Sequence, residues 1–153
     1  MFGLRYYSIT LIALLLVVTS QTALAGSIEQ ATVAVSGFDV VSYHTEKEPM
    51  RGSGWFVSEH DGETYLFANE KNKERFDKNP EQYLPAFGGY CAYGVAVGKK
   101  FYSDPEAWRI VDGKLYLNLD ADIQNKWLKD IPGYIQKADV NWPKIKDKVP
   151  SEL

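Results

Sequence analysis

Two stretches of the chain have short segments rich in aromatic and aliphatic residues on either side of an Asp-Gly dipeptide. The first runs over residues 55–68 around Asp61-Gly62, and the second runs over residues 108–117 around Asp112-Gly113. Asp-Gly favours the type I′ turn, whose twist matches that of two paired strands. The pattern therefore predicts two β-hairpins.

The turns also fix which residues face each other. In the first hairpin His60 lies opposite Glu63, and in the second Arg109 lies beside Tyr116. The core face of the second hairpin is then formed by its large apolar residues, which are Trp108, Ile110, Leu115 and Leu117.

Each hairpin is followed by a segment with helical periodicity. Asn69 is placed to cap a helix that ends near Asp77, and Asn79-Pro80 begins a further turn. After the second hairpin, a helix starts at Asp120 or Asp122. Its apolar side chains recur at helical spacing, and Pro132 is expected to break or restart it; these side chains are Ile123, Trp127, Leu128 and Ile131.

The two hairpin–helix stretches align with each other at an offset of about 51 positions. Phe76 then matches Trp127, and Tyr83-Leu84 matches Tyr134-Ile135. Neither ββα unit can bury its apolar face alone. The sequence therefore predicts an α+β fold, a small single domain in which two ββα units pack as one core. Either an internal duplication or the chance similarity of two such hairpins accounts for the alignment.

Residues 86–98 lie between the two units and form an apolar, glycine-rich segment that contains the only cysteine of the sequence, Cys91. Gly88 and Gly89 permit a positive φ or a close backbone approach, and the following spacing places Cys91 in a first helical turn. Unpaired N–H groups there would favour a thiolate and lower the pKa. The alternative is that Cys91 is a small buried apolar side chain.

The remaining segments carry weaker signals. Residues 26–36 form either a frayed lead-in or an edge strand, and Asp39 is placed to cap a short apolar segment over residues 37–44. Residues 45–54 and 99–106 are predicted to be loops. Asn141-Trp142-Pro143 and the charged tail are expected to form an extended end that packs through its tryptophan.

Residues 1–25 have the organisation of a secretory signal peptide. Arg5 supplies the positive charge, residues 9–18 are apolar, and Ala23-Leu24-Ala25 is a small-x-small cleavage site. The apolar run is shorter than the roughly 20 residues of a membrane span. We therefore expect a periplasmic or secreted protein that begins at Gly26, forms one domain over residues 26–153, and has no membrane association after cleavage.

Composition narrows the possible partners. The whole chain has 17 basic and 20 acidic residues, and loss of Arg5 leaves a mature charge of about −4 with both signs interspersed. This argues against nucleic acid and anionic membranes as partners. With one cysteine, no internal disulfide can form in an oxidising compartment.

Residues 54–93 resemble a YHS-domain protein in their aromatic hairpin, polar helix and Asn79-Pro80-Glu81-Gln82-Tyr83. Most of residues 37–143 resembles a secreted bacterial branch of that family, through Gly37-Phe38-Asp39-Val40-Val41-Ser42-Tyr43, Gly88-Gly89-Tyr90-Cys91-Ala92 and Asn141-Trp142-Pro143. Some members of that branch carry selenocysteine where Cys91 stands. The resemblance implies that Cys91 is a nucleophile, a redox centre or a soft-metal ligand.

The chain also departs from that family. The cysteines of YHS domains attached to copper-transporting ATPases are replaced by Phe67-Ala68-Asn69-Glu70-Lys71-Asn72, so their multi-cysteine site cannot be carried over. His44 stands where the secreted branch is expected to have an aromatic residue.

Three functions are compatible with these residues. In the first, Cys91, with His44 and Asp39, binds copper or zinc. In the second, Cys91 is a redox thiol that forms a sulfenic acid or a mixed disulfide with a small thiol. In the third, tyrosine and tryptophan side chains line a pocket for a small organic ligand. The residues expected to border the site are Tyr43, Gly88, Gly89 and Tyr90.

The sequence gives metal binding a slight lead over redox chemistry and leaves the metal, the substrate and the oligomeric state open. No nucleophile elbow, phosphate-binding loop or comparable catalytic motif surrounds any candidate residue, so an enzymatic role gains no direct support.

Overall fold

The computed structural model describes residues 32–153, and the predicted signal peptide and cleavage site lie outside them. The first unit contains β1 (Thr32–Val33), α1 (Ser42–Thr45), β2 (Ser53–His60), β3 (Glu63–Phe67) and α2 (Glu70–Lys78). The second unit contains α3 (Ala92–Ala96), β4 (Asp104–Val111), β5 (Lys114–Asn118), α4 (Ala121–Trp127) and α5 (Ile131–Ile145). Single turns of 3-10 helix lie at Pro80–Gln82 and Pro150–Glu152, and tight turns that contain left-handed residues lie at Ala34–Gly37 and Ala86–Gly89.

The strands form two small sheets. In the first, β3 lies between β2, to which it is antiparallel, and β1, to which it is parallel. In the second, β4 and β5 form an antiparallel pair. The predicted register of both hairpins is confirmed, since His60 pairs with Glu63 and Arg109 pairs with Tyr116.

The two units repeat each other at the predicted offset. β4, β5 and α4 each begin 51 positions after β2, β3 and α2. Both hairpins also have a register irregularity at the matching place, between Ser53 and Val57 and between Asp104 and Trp108. Asn69 and Asp120, again 51 positions apart, cap α2 and α4 through their side chains.

The repeat extends into the connecting turns. Val35, Ser36 and Gly37 all have positive φ, and so do Phe87, Gly88 and Gly89. We call these the first left-handed turn (residues 35–37) and the second left-handed turn (residues 87–89). A positive φ is uncommon for residues with a β-carbon and strained for a β-branched one such as Val35.

The hydrophobic cores of the two units meet at Tyr43. Its fully buried ring packs in one cluster with Leu115 and Leu117 of the second unit, and its hydroxyl donates to the carbonyl of Pro105 at 3.1 Å. The ring also lies edge-on to Trp108, with centroids 5.3 Å apart. These contacts between units confirm the α+β fold in which two ββα units share one core.

Four predictions about the ends and connections need correction or refinement. Residues 141–143 are not extended: they lie inside α5, which continues through Pro143 to Ile145. Trp142 packs against Phe87 and Tyr90, which keeps this turn of the helix on the core. Residues 32–33 of the lead-in form an edge strand. β2 begins at Ser53 and β4 at Asp104, each within a segment predicted to be a loop. None of the described helices has the length and apolar character needed to cross a bilayer.

Candidate functional site around Cys91

Cys91 lies at the entrance of α3 and is fully buried. Its Sγ accepts a hydrogen bond from the N–H of Gly94 at 3.3 Å, and its own N–H donates to the carbonyl of Phe101 at 2.9 Å. The backbone also bridges to Leu117 in parallel orientation. The expected position at the start of a helix is therefore confirmed, and the thiol is held between α3, β5 and the segment at Phe101.

Asn118, the last residue of β5, places a polar side chain beside the thiol. It is fully buried, and its Oδ1 lies 3.9 Å from Sγ of Cys91 and accepts the N–H of Tyr93 at 3.4 Å. Its Nδ2 is also buried and has no hydrogen-bond partner among residues 32–153. A buried donor left without an acceptor costs about 1–3 kcal/mol, so this amide marks a place where an additional acceptor would be stabilised.

Burial controls the protonation of the thiol. It raises the pKa of Cys91 above its ordinary value, although the backbone N–H groups of Gly94, Leu119 and Tyr93 act in the opposite direction. The expected lowering of this pKa is therefore wrong. The reason is that the sequence reveals the helix start but not the complete desolvation of the sulfur, which penalises the thiolate.

Asp39 is a fully buried carboxylate with four hydrogen bonds. Its Oδ1 accepts from the N–H groups of Val41 at 2.8 Å and Ser42 at 3.3 Å, which confirms the predicted capping role. Its Oδ2 accepts from the N–H of Ala68 at 2.9 Å and from Nδ2 of Asn72 at 2.8 Å. Asp39 thus ties the entrance of α1 to the end of β3 and to α2.

His44 is half-buried on α1, and its ring lies edge-on to Tyr83 with centroids 5.5 Å apart. Burial lowers its pKa, and the charges of Lys47 and Lys114 act in the same direction. Its Nε2 is buried and has no hydrogen-bond partner in the described part of the chain. His44 is therefore favoured as the neutral imidazole.

The proposed metal ligands do not converge. No group of three or more His, Cys, Asp or Glu side chains within residues 32–153 is arranged to hold a metal ion. Both oxygens of Asp39 are already occupied by hydrogen bonds within the protein, so Asp39 would have to break them to bind a metal. Cys91, His44 and Asp39 are consequently three separate features of the fold, and we derive no chemical step through a metal.

The residues expected to border the site have different roles. Gly88 and Gly89 form the second left-handed turn, with φ of 59° and 77°. With Tyr90 they line a cavity of about 120 Å³ that also contacts the first left-handed turn. Cys91 does not line this cavity. Tyr90 also packs 4.4 Å from Nζ of Lys100, and Tyr43 belongs to the core between the units.

Comparison with known protein families gives a match for one segment of the chain. Residues 41–87 match the YHS domain family, a family associated with metal binding and with copper in particular. The match contains His44 but ends before Cys91. Searches of curated proteins and of solved structures found no match.

Proposed function

We propose that this protein is an exported single-thiol redox protein in which Cys91 is oxidised by a hydroperoxide and restored by an external thiol. The observation that carries the proposal is a buried sulfur beside the buried amide of Asn118, whose Oδ1 lies 3.9 Å from Sγ and whose Nδ2 has no hydrogen-bond partner within the described structure. An oxygen added to Sγ would be a new acceptor within this pocket. The export step rests on the signal-peptide pattern of residues 1–25.

The chemistry requires no second cysteine in the chain. Sγ of Cys91 attacks one oxygen of the hydroperoxide, an S–O bond forms, the O–O bond breaks, and the other oxygen leaves as an alcohol or water with the thiol proton. Sulfur loses two electrons and the peroxide gains them. One external thiol then displaces water to give a mixed disulfide, and a second thiol releases Cys91 as a disulfide forms between the two external thiols.

Access to the sulfur must depend on a local opening, because Cys91 is fully buried. The segment best placed to open is the one around Phe101, whose carbonyl binds the N–H of Cys91 and whose ring lies against Gly94. Phe101 is 44% exposed, so its movement would uncover little additional core. This burial also predicts slow reaction at neutral pH, since the raised pKa leaves little thiolate.

Soft-metal binding is the second candidate, and the match of residues 41–87 to the YHS domain supports it. In that case the ligands would come from Cys91, His44 and Asp39, with copper or zinc as the metal. Nε2 of His44 has no hydrogen-bond partner within the described structure, so its lone pair could bind a metal ion. Metal binding would require these residues to move together.

The two candidates are separated by counting thiols in folded protein isolated from its exporting host. The redox proposal predicts that stoichiometric hydrogen peroxide removes the single titratable thiol and that a small monothiol restores it, without any change in metal content. Cys91→Ser should show neither effect. If peroxide leaves the thiol intact and elemental analysis finds about one copper or zinc per chain that Cys91→Ser lacks, metal binding is the function and the redox proposal is rejected.

A further inference from the structure

The repeat of the two units places an acidic side chain and the cysteine at the same point of the fold. Asp39 is the second residue after the first left-handed turn, and Cys91 is the second residue after the second left-handed turn. Each lies at the entrance of a short helix and is fully buried. Cys91 therefore occupies the position that the first unit gives to a carboxylate.

The backbone donors around the two side chains also correspond. Asp39 accepts the N–H groups two and three residues further along the chain and that of the residue following β3, which are Val41, Ser42 and Ala68. Around Cys91, the N–H of Gly94, three residues further along, donates to Sγ at 3.3 Å, and the N–H groups of Tyr93 and of Leu119, the residue following β5, also favour the thiolate. The corresponding backbone N–H groups therefore surround one buried side chain in each unit, with the difference that the N–H of Tyr93 donates to Oδ1 of Asn118.

A side-chain amide adds a fourth donor in the first unit and the potential for one in the second. Nδ2 of Asn72 donates to Oδ2 of Asp39 at 2.8 Å. In the second unit Asn118 contributes the amide, from a different position in the sequence, and its Nδ2 has no acceptor within the described structure. The two amides differ in this way because the carboxylate of Asp39 has two oxygen atoms that accept hydrogen bonds, whereas the thiol of Cys91 has a single sulfur atom.

We infer that the pocket around Cys91 is an oxyanion cradle that holds the oxidised cysteine, with Asn118 as the residue that positions the added oxygen. This inference rests on the proposed oxidation of Cys91 and names the groups that stabilise its product. In a sulfenate the oxygen is attached to Sγ as Oδ2 is attached to Cγ of an aspartate. It would accept from Nδ2 of Asn118 and the N–H of Leu119, as Oδ2 of Asp39 accepts from Asn72 and Ala68.

A carboxylate placed at position 91 tests whether the pocket stabilises an anion, without any oxidation of the cysteine. Cys91→Asp is compared with Cys91→Asn, which has nearly the same shape but no charge, and with Cys91→Val, which suits an apolar site. The cradle predicts that Cys91→Asp has the highest melting temperature of the three at pH 7. Its advantage over Cys91→Asn should disappear as the pH falls below the pKa of the carboxylate. A folded Cys91→Val beside an unfolded Cys91→Asp would overturn the inference.

The role of Asn118 is measured on the wild-type cysteine. After brief peroxide treatment, the sulfenic acid is trapped with dimedone at increasing delays to give its lifetime. Asn118→Leu should shorten that lifetime about tenfold, as expected for loss of one hydrogen bond to a charged acceptor. The matched control is Asn72→Leu, which removes the corresponding hydrogen bond to Asp39 and should leave the lifetime of the sulfenic acid unchanged. Equal lifetimes in wild type and Asn118→Leu would reject the positioning role.

The two sets of measurements can reject the redox function and the oxyanion cradle independently of each other. If peroxide never oxidises wild-type Cys91 but Cys91→Asp is favoured, the pocket is an anion cradle and the redox function is wrong. If Cys91 is oxidised but Cys91→Asp is unstable, the redox function stands and the cradle is rejected.

Discussion

Replacing Asp39 by asparagine should strongly destabilise the protein. Asparagine can keep the two hydrogen bonds of Oδ1, to the N–H groups of Val41 and Ser42. Its amide nitrogen would then face two donors, the N–H of Ala68 and Nδ2 of Asn72, which both lose their acceptor. A buried donor without an acceptor costs about 1–3 kcal/mol, so Asp39→Asn should cost roughly 2–6 kcal/mol.

Urea unfolding, followed by tryptophan fluorescence, measures this cost. A domain is stable by about 5–15 kcal/mol, so the midpoint should fall markedly while the slope with urea stays the same. Asp61→Asn is the matched control, because its side chain is 86% exposed and Asn-Gly also favours the type I′ turn. The control should change stability by less than about 0.5 kcal/mol.

The same variant separates a structural carboxylate from a metal ligand. If Asp39 only accepts hydrogen bonds within the fold, Asp39→Asn should lower the free energy of unfolding by the same amount in metal-free and in metal-loaded protein. Wild-type stability combined with loss of bound copper or zinc would refute the reasoning and make Asp39 a ligand.

Two further predictions concern the core and the response to acid. Trp127→Ala should cost about 3–5 kcal/mol, because the ring is fully buried against Tyr116, and unfolding should remain a single transition; two transitions would contradict a shared core. Burial lowers the pKa of His44, so its stabilising contribution is present above its unfolded pKa of about 6.5 and is lost as pH falls through the folded value. His44→Phe should therefore lose less stability than wild type between pH 7 and pH 5, as measured by urea midpoints, and an identical loss in both proteins would exclude His44 as the source.

The sequence predicted the repeated hairpins and helices because their signals are local. Asp61-Gly62 and Asp112-Gly113 set the turns, and the side chains of Asn69 and Asp120 cap the helices that follow. The continuation of α5 through Pro143 could not be predicted in this way. Local rules end a helix near proline, whereas packing of Trp142 on Phe87 and Tyr90 stabilises the continued helix.

The candidate site was only partly predictable for the same reason. The position of Cys91 at a helix start is local and was predicted, but the direction of its pKa shift depends on burial by distant segments. Asn118 was missed because nothing adjacent in the sequence links it to Cys91. The internal repeat held a usable signal, since β5 ends in Asn118 where β3 ends in the apolar Phe67.

Chemical trapping at Cys91 tests the central claim most directly. Folded, metal-free wild-type protein is treated with stoichiometric hydrogen peroxide in the presence of dimedone, and peptide mass spectrometry locates the adduct. The redox account predicts one adduct, on Cys91, that forms faster as pH rises because thiolate becomes more abundant. A folded protein that gives no adduct at any pH from 7 to 9, yet gives a normally reactive thiol after denaturation, would contradict it and leave Cys91 as part of the core.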